Sequence, residues 1–301
     1  MEIKLNTIQN ITEYIGQDNI KTLLNINING VIKRKELFPH TFIYGAAGHG
    51  KTTLARIIAN KFNRTLIEII GSSITKEELK QILWTLPDTS FLFIDEVHSL
   101  DEKAIELLYT AMTDYKLNGM DIAKFTLIAA TTDLGNILKK TKPFYDRFGL
   151  ILELEQYKIE DLKAIIKIHN KKLYPKELID DDEVSIIAEN SRYSPREAIR
   201  FLRARIYAER HIREVLPLYN VIHKGITFQD VKLMLSINLN GPLSIDSICA
   251  ILNTGRDNYI YFIEPFLLKE GYIRKSSRGR DITSEGRKIL SYINTLTTVH
   301  H

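Results

Sequence analysis

The sequence predicts an α/β domain with a five-stranded parallel sheet, followed by a small all-helical domain and a C-terminal winged-helix domain. Three observations support this prediction. Strand-like apolar runs at 41–44, 65–70, 90–95, 125–130 and 150–154 alternate with helical patterns, as expected for a parallel sheet covered on both faces. A glycine-rich loop follows the first run. After Gln156 helical patterns take over until a basic hairpin near the end of the chain.

The glycine-rich loop has a pattern typical of phosphate binding. Residues 45–52 read Gly-Ala-Ala-Gly-His-Gly-Lys-Thr, which fits G-x-x-x-x-G-K-[ST], and they stand between a strand and a helical run. In this pattern backbone N–H groups surround the phosphates, Lys51 reaches their outer oxygens and Thr52 binds Mg²⁺. The loop predicts a nucleotide site whose binding residues are Gly45, Gly48, Gly50, Lys51, Thr52 and Thr53.

Two later strands end in polar pairs. The third strand ends in Asp95-Glu96 and the fourth in Thr131-Thr132. The carboxyl ends of parallel strands meet at one edge of a sheet, so we expect both pairs near the loop. Asp95 can help hold Mg²⁺ through its shell, while Glu96 can orient or activate a water molecule. Taken alone, the threonine pair is more simply interpreted as an ordinary strand end.

Two arginines follow at defined places. Arg147 lies in Asp-Arg-Phe-Gly just before the fifth strand, and Arg196 lies in Ser-Pro-Arg at the start of a helical pattern. Arg200 and Arg203 share a helix face with Arg196. For these two, exposure to solvent or pairing with a neighbouring domain is the simpler interpretation.

The length of 301 residues suggests two or three domains, which we place at 1–156, 157–239 and 240–301. The last has a helix, a helix and a basic hairpin, the outline of a winged helix. Cations on such a hairpin can bind phosphates of double-stranded or branched DNA without reading sequence. A solvated charged hairpin is the alternative. The candidate DNA-binding residues are Arg274, Lys275, Arg278 and Arg280.

The composition is that of an ordinary globular protein, with 44% apolar and 26% charged residues. The single cysteine, Cys249, excludes an internal disulfide framework. The sequence has no apolar run long enough to span a membrane and no secretion signal at its start, so we expect a cytoplasmic protein without membrane partners. A net charge of +4 is too small to establish nucleic-acid binding by itself.

In their order along the chain these motifs resemble those of AAA+ ATPases, and among them the RuvB family of Holliday-junction branch-migration motors. The likeness runs from Tyr-Ile-Gly-Gln at 14–17 to Glu-Pro-Phe-Leu at 264–267 and Arg-Gly-Arg at 278–280. It implies an AAA+ P-loop domain, a helical lid and a winged helix. It also implies ATP and Mg²⁺ as cofactors, a homo-oligomeric ring that is expected to be a hexamer, and DNA translocation in recombination and repair.

The resemblance also implies roles for individual residues. Tyr14 and Ile15 would hold adenine, Thr131 or Thr132 would be sensor 1, and Arg196 would be sensor 2. Arg147 would be the arginine finger, which completes the site of a neighbouring subunit. The implied catalytic residues are Lys51, Asp95, Glu96, Thr131, Arg147 and Arg196, with Thr52 and Asp95 as metal ligands.

Two departures from the family pattern stand out. RuvB proteins carry a long β-hairpin that docks onto the partner RuvA, whereas this chain has only residues 117–123 at that place. Seven residues can close a turn but cannot extend such a hairpin, so the sequence leaves open whether a RuvA-like partner is used. Tyr145 replaces an arginine that the family usually has there, which would alter the subunit interface.

Two other functions remain open on the sequence. A clamp-loader-like or helicase-loader-like AAA+ ATPase would use ATP to place a protein ring on DNA. An ATP-gated DNA-binding regulator would use nucleotide only to control the winged helix. The full set of Lys51, Asp95, Glu96, Arg147 and Arg196 speaks against the regulator, because a pure sensor does not need a complete hydrolytic set.

Overall fold

The computed structural model describes residues 10–298, which form two compact units that divide between Tyr157 and Lys158. This division lies one residue beyond the predicted end of the first domain. In chain order, the helices and strands of the first unit are α1 (Asp18–Arg34), β1 (Thr41–Gly45), α2 (Lys51–Lys61), β2 (Leu66–Ile70), α3 (Lys76–Thr85), β3 (Ser90–Asp95), α4 (Glu102–Asp114), β4 (Lys116–Leu117), β5 (Met120–Asp121), β6 (Phe125–Thr131), α5 (Leu134–Tyr145) and β7 (Leu150–Leu154).

The predicted five-stranded parallel sheet is confirmed, with the strand order β2-β3-β6-β1-β7. β6 lies between β3 and β1, and Tyr44 of β1 is level with Thr131 of β6. On the other side of β6, Ile94 of β3 is level with Ala129. The loop after β1, the Asp95-Glu96 pair and the Thr131-Thr132 pair therefore meet at one edge of the sheet.

Both faces of the sheet are buried, which explains why its strands read as continuous apolar runs. Successive side chains point to opposite faces. Phe42 and Leu127 pack with α3, α4 and α5 on one face, and Ile43 and Ile128 pack with α1 and α2 on the other. The strand ends that carry the polar pairs therefore sit on a core packed from both sides.

The second unit is mainly helical and ends in the winged helix. Among its described residues it also has a 3₁₀ turn at Leu216–Tyr219 and a π-helical segment at Tyr259–Ile263. Its helices and strands are α6 (Ile159–Leu173), α7 (Asp181–Asn190), α8 (Pro195–Ala208), α9 (Ile212–Val215), β8 (Val221–His223), β9 (Ile226–Thr227), α10 (Phe228–Asn240), α11 (Ile245–Leu252), α12 (Arg256–Asn258), α13 (Glu264–Lys269), β10 (Ile273–Ser276), β11 (Gly279–Ile282) and α14 (Ser284–Thr298).

The hairpin of β8 and β9 is a feature that the helical pattern of this region did not reveal. Its strands are only three and two residues long, too short for the alternating pattern by which strands are recognised. The turn contains Lys224 and Gly225, both with positive φ. The hairpin leads directly into α10.

α10 packs into the core of the winged helix. Leu233 and Ile237 of this helix share one apolar cluster with Ile248 of α11 and Leu267 of α13. The predicted three-part division assigned α10 to the second domain, and that division remains a prediction. No helix among residues 10–298 is long and apolar enough to cross a membrane.

Candidate nucleotide site and nucleic-acid interface

The loop after β1 depends on glycines at two close approaches. At Gly45 (φ 153°) a Cβ atom would lie 2.8 Å from the carbonyl oxygen of Leu154. At Gly50 (φ 97°) it would lie 2.9 Å from the hydroxyl of Tyr14. Gly48 also has a positive φ of 79°. Side chains at these positions would clash or be strained, so the glycines allow the loop to close directly before α2.

Lys51 begins α2 and is only 6% exposed. Its Nζ donates hydrogen bonds to the carbonyl oxygens of Gly45 at 2.9 Å and Ala46 at 3.3 Å. The ammonium is thereby held at the loop, next to a helix N-terminus whose backbone N–H groups favour anions. Thr53, in the first turn of α2, is half-buried. This arrangement fits the phosphates of a nucleotide.

The two predicted metal ligands lie side by side. Thr52 donates its hydroxyl to Oδ2 of Asp95 at 3.3 Å, and Oδ1 of Asp95 accepts the backbone N–H of Glu96 at 3.0 Å. A hydroxyl and a carboxylate are hard oxygen donors, and Mg²⁺ commonly takes few protein ligands beside waters and substrate phosphates. Both residues line a cavity of about 920 Å³ that extends to β2 and α3, which leaves room for such ligands.

Glu96 is held in a defined position by the neighbouring strand. It has a left-handed backbone (φ 49°). Its Oε2 accepts the backbone N–H of Thr132 at 3.1 Å and the Thr132 hydroxyl at 2.9 Å. Nδ1 of His98 lies 3.2 Å from the same oxygen. The carboxylate is therefore fixed at the edge where the loop and β6 meet.

The surroundings of Glu96 also set its charge. Burial alone would raise the pKa of this carboxyl, but hydrogen bonds from His98 and Thr132 and the charge of Lys51 outweigh burial and lower the pKa to about 2. Glu96 is thus ionised at neutral pH. Since a proton acceptor works best with a pKa near the working pH, Glu96 is better suited to orienting a water molecule than to removing its proton.

His98 is a site residue that sequence reasoning missed. It lies in a 3₁₀ turn, Val97–Ser99, and its Nδ1 is 2.8 Å from the hydroxyl of Thr131. Thr131 is fully buried, and its Oγ1 also accepts the N–H of Asp133 at 2.9 Å. Of the two threonines, Thr132 therefore contacts Glu96 directly, whereas Thr131 reaches it through His98. The only signal in the sequence was a histidine two positions after an acidic pair.

Tyr14 is buried against the backbone of the glycine-rich loop. It is 3% exposed, and its hydroxyl donates to the carbonyl oxygen of His49 at 3.4 Å. Tyr157 donates to the same oxygen at 3.2 Å. Burial, with the neighbouring Tyr157, raises the pKa of Tyr14 well above its usual value. Ile15 is half-buried. The contact of Tyr14 and Ile15 with adenine remains a prediction.

The two candidate arginines lie on different units. Arg147 is exposed, and its guanidinium carbon lies 4.7 Å from the centre of the Tyr109 ring on α4. Its Nη2 donates to the Tyr109 hydroxyl at 2.5 Å. Arg196 is also exposed and lies in the first turn of α8 in the second unit. Their roles as finger and sensor remain predictions.

Arg280 is built into the base of the wing, the hairpin of β10 and β11. Its side chain is 16% exposed, and Nε donates to Oε1 of Glu264, which is itself buried. The Tyr259 hydroxyl donates to the same carboxylate oxygen at 3.3 Å. At Gly279 (φ 128°) a Cβ atom would lie 2.1 Å from the carbonyl oxygen of Leu243. Gly279 and Arg280 thus dock the wing onto the rest of the domain.

The other cations of the wing are more exposed. Arg274 pairs with Asp281 across the hairpin at 2.8 Å. Lys275 has a side chain that is 61% exposed, with Nζ 3.5 Å from Oε2 of Glu264. Arg278 is exposed at the turn. Arg278 and Lys275 are therefore better placed than Arg280 to meet a phosphate.

Family models match the two segments of the chain that contain these candidate sites. Residues 7–154 match the family model described as "Holliday junction DNA helicase RuvB P-loop domain", and residues 223–291 match "RuvB C-terminal winged helix domain". The chain is 35% identical to the Holliday junction branch migration complex subunit RuvB of Acholeplasma laidlawii, over 94% of this chain and 90% of that protein. This chain belongs to the RuvB family.

Other RuvB proteins show the same likeness. The RuvB subunit of Fervidobacterium nodosum is 36% identical over 95% of this chain and 88% of its own length. The solved structure of the Thermotoga maritima RuvB Holliday junction branch migration motor has a TM-score of 0.85 and 32% identity, and the match covers 94% of this chain and 97% of that one. The likeness to RuvB therefore extends over both units.

The two predicted departures from the RuvB pattern have clear structural counterparts. β4 and β5 form a hairpin with two residues per strand, joined by Asn118 and Gly119, both with positive φ, as a tight two-residue turn requires. Tyr145 packs edge-on against Phe42, with ring centres 5.1 Å apart. At the position where the RuvB pattern has an arginine, this chain therefore has a tyrosine ring that joins the apolar packing.

Proposed function

We propose that this chain is an ATP-driven DNA motor of the RuvB type, which moves duplex DNA to drive Holliday-junction branch migration in recombination and repair. One observation carries the proposal. Glu96, fixed by Thr132, lies at the same sheet edge as Lys51 and the Thr52–Asp95 pair, which together are the groups that ATP hydrolysis needs. The named relatives, a branch migration complex subunit and a branch migration motor, support the DNA-directed part.

In the proposed reaction, Lys51 neutralises charge on the β and γ phosphates of ATP. Thr52 and Asp95 would hold Mg²⁺, which would add further positive charge at the phosphates. Glu96 accepts a hydrogen bond from the attacking water and so aligns it with the γ-phosphate. Thr132 and His98 keep the Glu96 carboxylate in place. Positioning of this kind, together with electrostatic stabilisation, is the main contribution that a protein makes to phosphoryl transfer.

Arg147 is proposed to act on the site of a neighbouring subunit in a homo-oligomeric ring, expected to be a hexamer. Its exposed position between α5 and β7, where the guanidinium lies over the Tyr109 ring of α4, supports this role. Arginine fingers increase hydrolysis by about 10³ to 10⁵ in known hydrolases. An isolated subunit would therefore hydrolyse ATP slowly, and turnover would depend on assembly.

Arg196 is proposed to sense the γ-phosphate from the second unit. Loss of that phosphate would release the unit and let it turn about the segment near Gln156, a hinge motion driven by a ligand contact. The wing would carry this motion to DNA. Lys275 and Arg278 would bind backbone phosphates, which gives affinity without sequence specificity.

The short β4–β5 hairpin supports a different loading route. With two residues in each strand, it offers little surface to a partner that docks on a long hairpin. We propose that the protein uses a different loader, a diverged partner or none. Tight binding to, and stimulation by, a standard RuvA in a pull-down and an ATPase assay would refute this point.

The experiment that tests the function is branch migration of a fluorescent synthetic four-way junction with ATP and Mg²⁺. The wild-type protein should dissociate the junction with steady, DNA-stimulated ATP turnover. Lys51→Ala should lose nucleotide binding, and Glu96→Gln should bind ATP without turnover; both should fail to move the junction.

Other outcomes would favour the other functions. ATP turnover that places a ring on DNA without moving the junction would indicate a loader. Specific binding to one duplex sequence, with junction movement absent, would indicate a regulator.

A further inference from the structure

The turn between α7 and α8 has an unusual backbone. Arg192 and Tyr193 are consecutive residues with positive φ, 49° and 59°. For residues with a Cβ atom, steric contact with the following carbonyl oxygen disfavours the left-handed conformation. Such a conformation persists only where surrounding contacts fix it. The turn ends at Ser194, which caps α8 two residues before Arg196.

Arg192 is fixed by the segment that leads into α10. Its Nε donates to the carbonyl oxygen of Gly225 at 2.7 Å, and its Nη2 lies 3.3 Å from the Thr227 hydroxyl. Nη2 also pairs with Oδ2 of Asp230, a carboxylate with no exposed side-chain surface. The same oxygen accepts the N–H of Thr227 at 2.7 Å and closes the capping box of α10. Arg192 is therefore tied to the first turn of α10.

Contacts with α13 complete the attachment. The guanidinium of Arg192 lies 4.5 Å from the centre of the Phe266 ring. The Tyr193 hydroxyl donates to Oε1 of Glu270 at 2.5 Å, and Nζ of Lys269 lies 3.4 Å from the centre of the Tyr193 ring. The Tyr193 ring also packs on the apolar core of the winged helix. Two neighbouring side chains thus connect the start of α8 to α10 and α13.

We infer that Arg192 and Tyr193 form a latch that makes the turn before Arg196 and the winged helix move as one body. The inference rests on the proposed function, in which Arg196 responds to nucleotide. A displacement of α8 would then reach the wing through the latch instead of being lost at the turn. Arg192 and Tyr193 are positioning residues, since they act on DNA and nucleotide through other groups.

The latch makes a thermodynamic prediction. If nucleotide at Arg196 and DNA at the wing are coupled, each changes the affinity for the other by the same factor. Known couplings of this kind are about 5- to 150-fold. Loosening the latch should bring this factor towards one while leaving each separate binding reaction intact.

Tyr193→Phe and Glu270→Gln test the latch because each weakens the Tyr193–Glu270 hydrogen bond while preserving side-chain shape. Glu285→Gln is the matched control, since it weakens the exposed Lys288–Glu285 pair of α14 in the same unit. The measurement is the dissociation constant of full-length protein for a fluorescent duplex, with a non-hydrolysable ATP analogue and with ADP. Melting temperature and ATPase rate without DNA show whether the fold and the nucleotide site are intact.

The ratio of the two dissociation constants should fall several-fold, by about fivefold if coupling is of typical size, in Tyr193→Phe and Glu270→Gln. The control should keep the wild-type ratio. The double variant should show no further loss, because both changes remove the same bond. Basal ATPase should stay within about twofold of wild type, because neither residue belongs to the nucleotide site.

Two results would overturn the inference. One is an unchanged ratio in both variants with an unchanged melting temperature. The other is a wild-type ratio of one. Failure of the proposed function looks different: the wild type would keep a nucleotide-dependent DNA affinity, sensitive to Tyr193→Phe, yet fail to move a four-way junction.

Discussion

Thr132 holds Glu96 with two hydrogen bonds to one carboxylate oxygen, from its backbone N–H at 3.1 Å and from its hydroxyl at 2.9 Å. The pair joins the end of β6 to the residue that follows β3. ATP hydrolysis depends on the alignment of a water molecule. A change in the position of this carboxylate should therefore affect the rate of turnover more strongly than it affects the affinity for nucleotide.

Thr132→Val removes the hydroxyl and retains the backbone N–H. We expect kcat to fall by about tenfold, since an orienting hydrogen bond to a charged group is worth about 1.5–3 kcal/mol, while KM for ATP changes little. Steady-state ATPase kinetics with saturating duplex DNA measure both. Thr131→Val, which acts on Glu96 only through His98, should reduce kcat less. A raised KM with unchanged kcat in Thr132→Val would contradict this role.

Arg147→Ala should nearly abolish ATP turnover in a homogeneous preparation, because every site would lack its finger. Lys51→Ala should do the same by loss of nucleotide binding. Mixed subunits should regain activity, since an intact site of an Arg147→Ala subunit can be completed by a neighbour that retains Arg147. ATPase titrations over mixing ratios measure this recovery. Absence of recovery at every ratio would argue against action on a neighbouring subunit.

Arg278→Ala and Arg280→Ala should have different effects although the two residues are neighbours in one motif. Arg278→Ala should weaken binding to all duplex sequences and reduce the salt slope by about one unit, as for the loss of one phosphate contact. Arg280→Ala leaves the buried Glu264 without its main cation and should cost about 3 kcal/mol of stability. Fluorescence anisotropy over a salt series and thermal unfolding separate the effects. Equal stability of both variants would contradict the structural role of Arg280.

His40 should make the stability of the first unit depend on pH. Its Nδ1 accepts the N–H of Leu127 at 2.8 Å, and burial lowers the pKa of His40 below its usual value of 6.5. The unfolded chain therefore binds a proton more readily, so stability is complete above about pH 6.5 and falls as the pH decreases below it. His40→Asn keeps an acceptor but does not titrate.

The measurement for His40 is denaturant unfolding at pH 7.5 and pH 5.5. The loss of stability between the two should be smaller in His40→Asn than in wild type. All other ionisable groups are the same in both proteins, so their contributions cancel in the difference. An equal loss in the two proteins would show that His40 does not titrate as expected.

Much of the first unit could be predicted because its signals are local. β1, β3 and β7 are apolar runs that begin at the predicted residues, and the loop at 45–52 combines glycines, Lys51 and Thr52 in one short segment. The parallel arrangement of the strands followed from their alternation with helices, whereas their order in the sheet is known only from the structure. A strand buried on both faces of a parallel sheet is apolar along its whole length. It can therefore be recognised from residues that are adjacent in the sequence.

The rest depends on contacts between distant residues. Glu264 and Arg280 are 16 positions apart, and His98 and Thr131 are 33 apart. A sequence shows the charge of Arg280, but only the fold shows that a buried carboxylate takes it up. Likewise, only the fold shows that the Tyr14 hydroxyl donates to the carbonyl oxygen of His49 in the loop.

The tip of the β4–β5 hairpin lies in open space, since a methyl group on Gly119 would meet no atom within 4 Å. A longer hairpin from another RuvB protein can therefore be inserted at this two-residue turn without disturbing the sheet. In such a chimera the choice of loading factor could be exchanged independently of the domain that hydrolyses ATP.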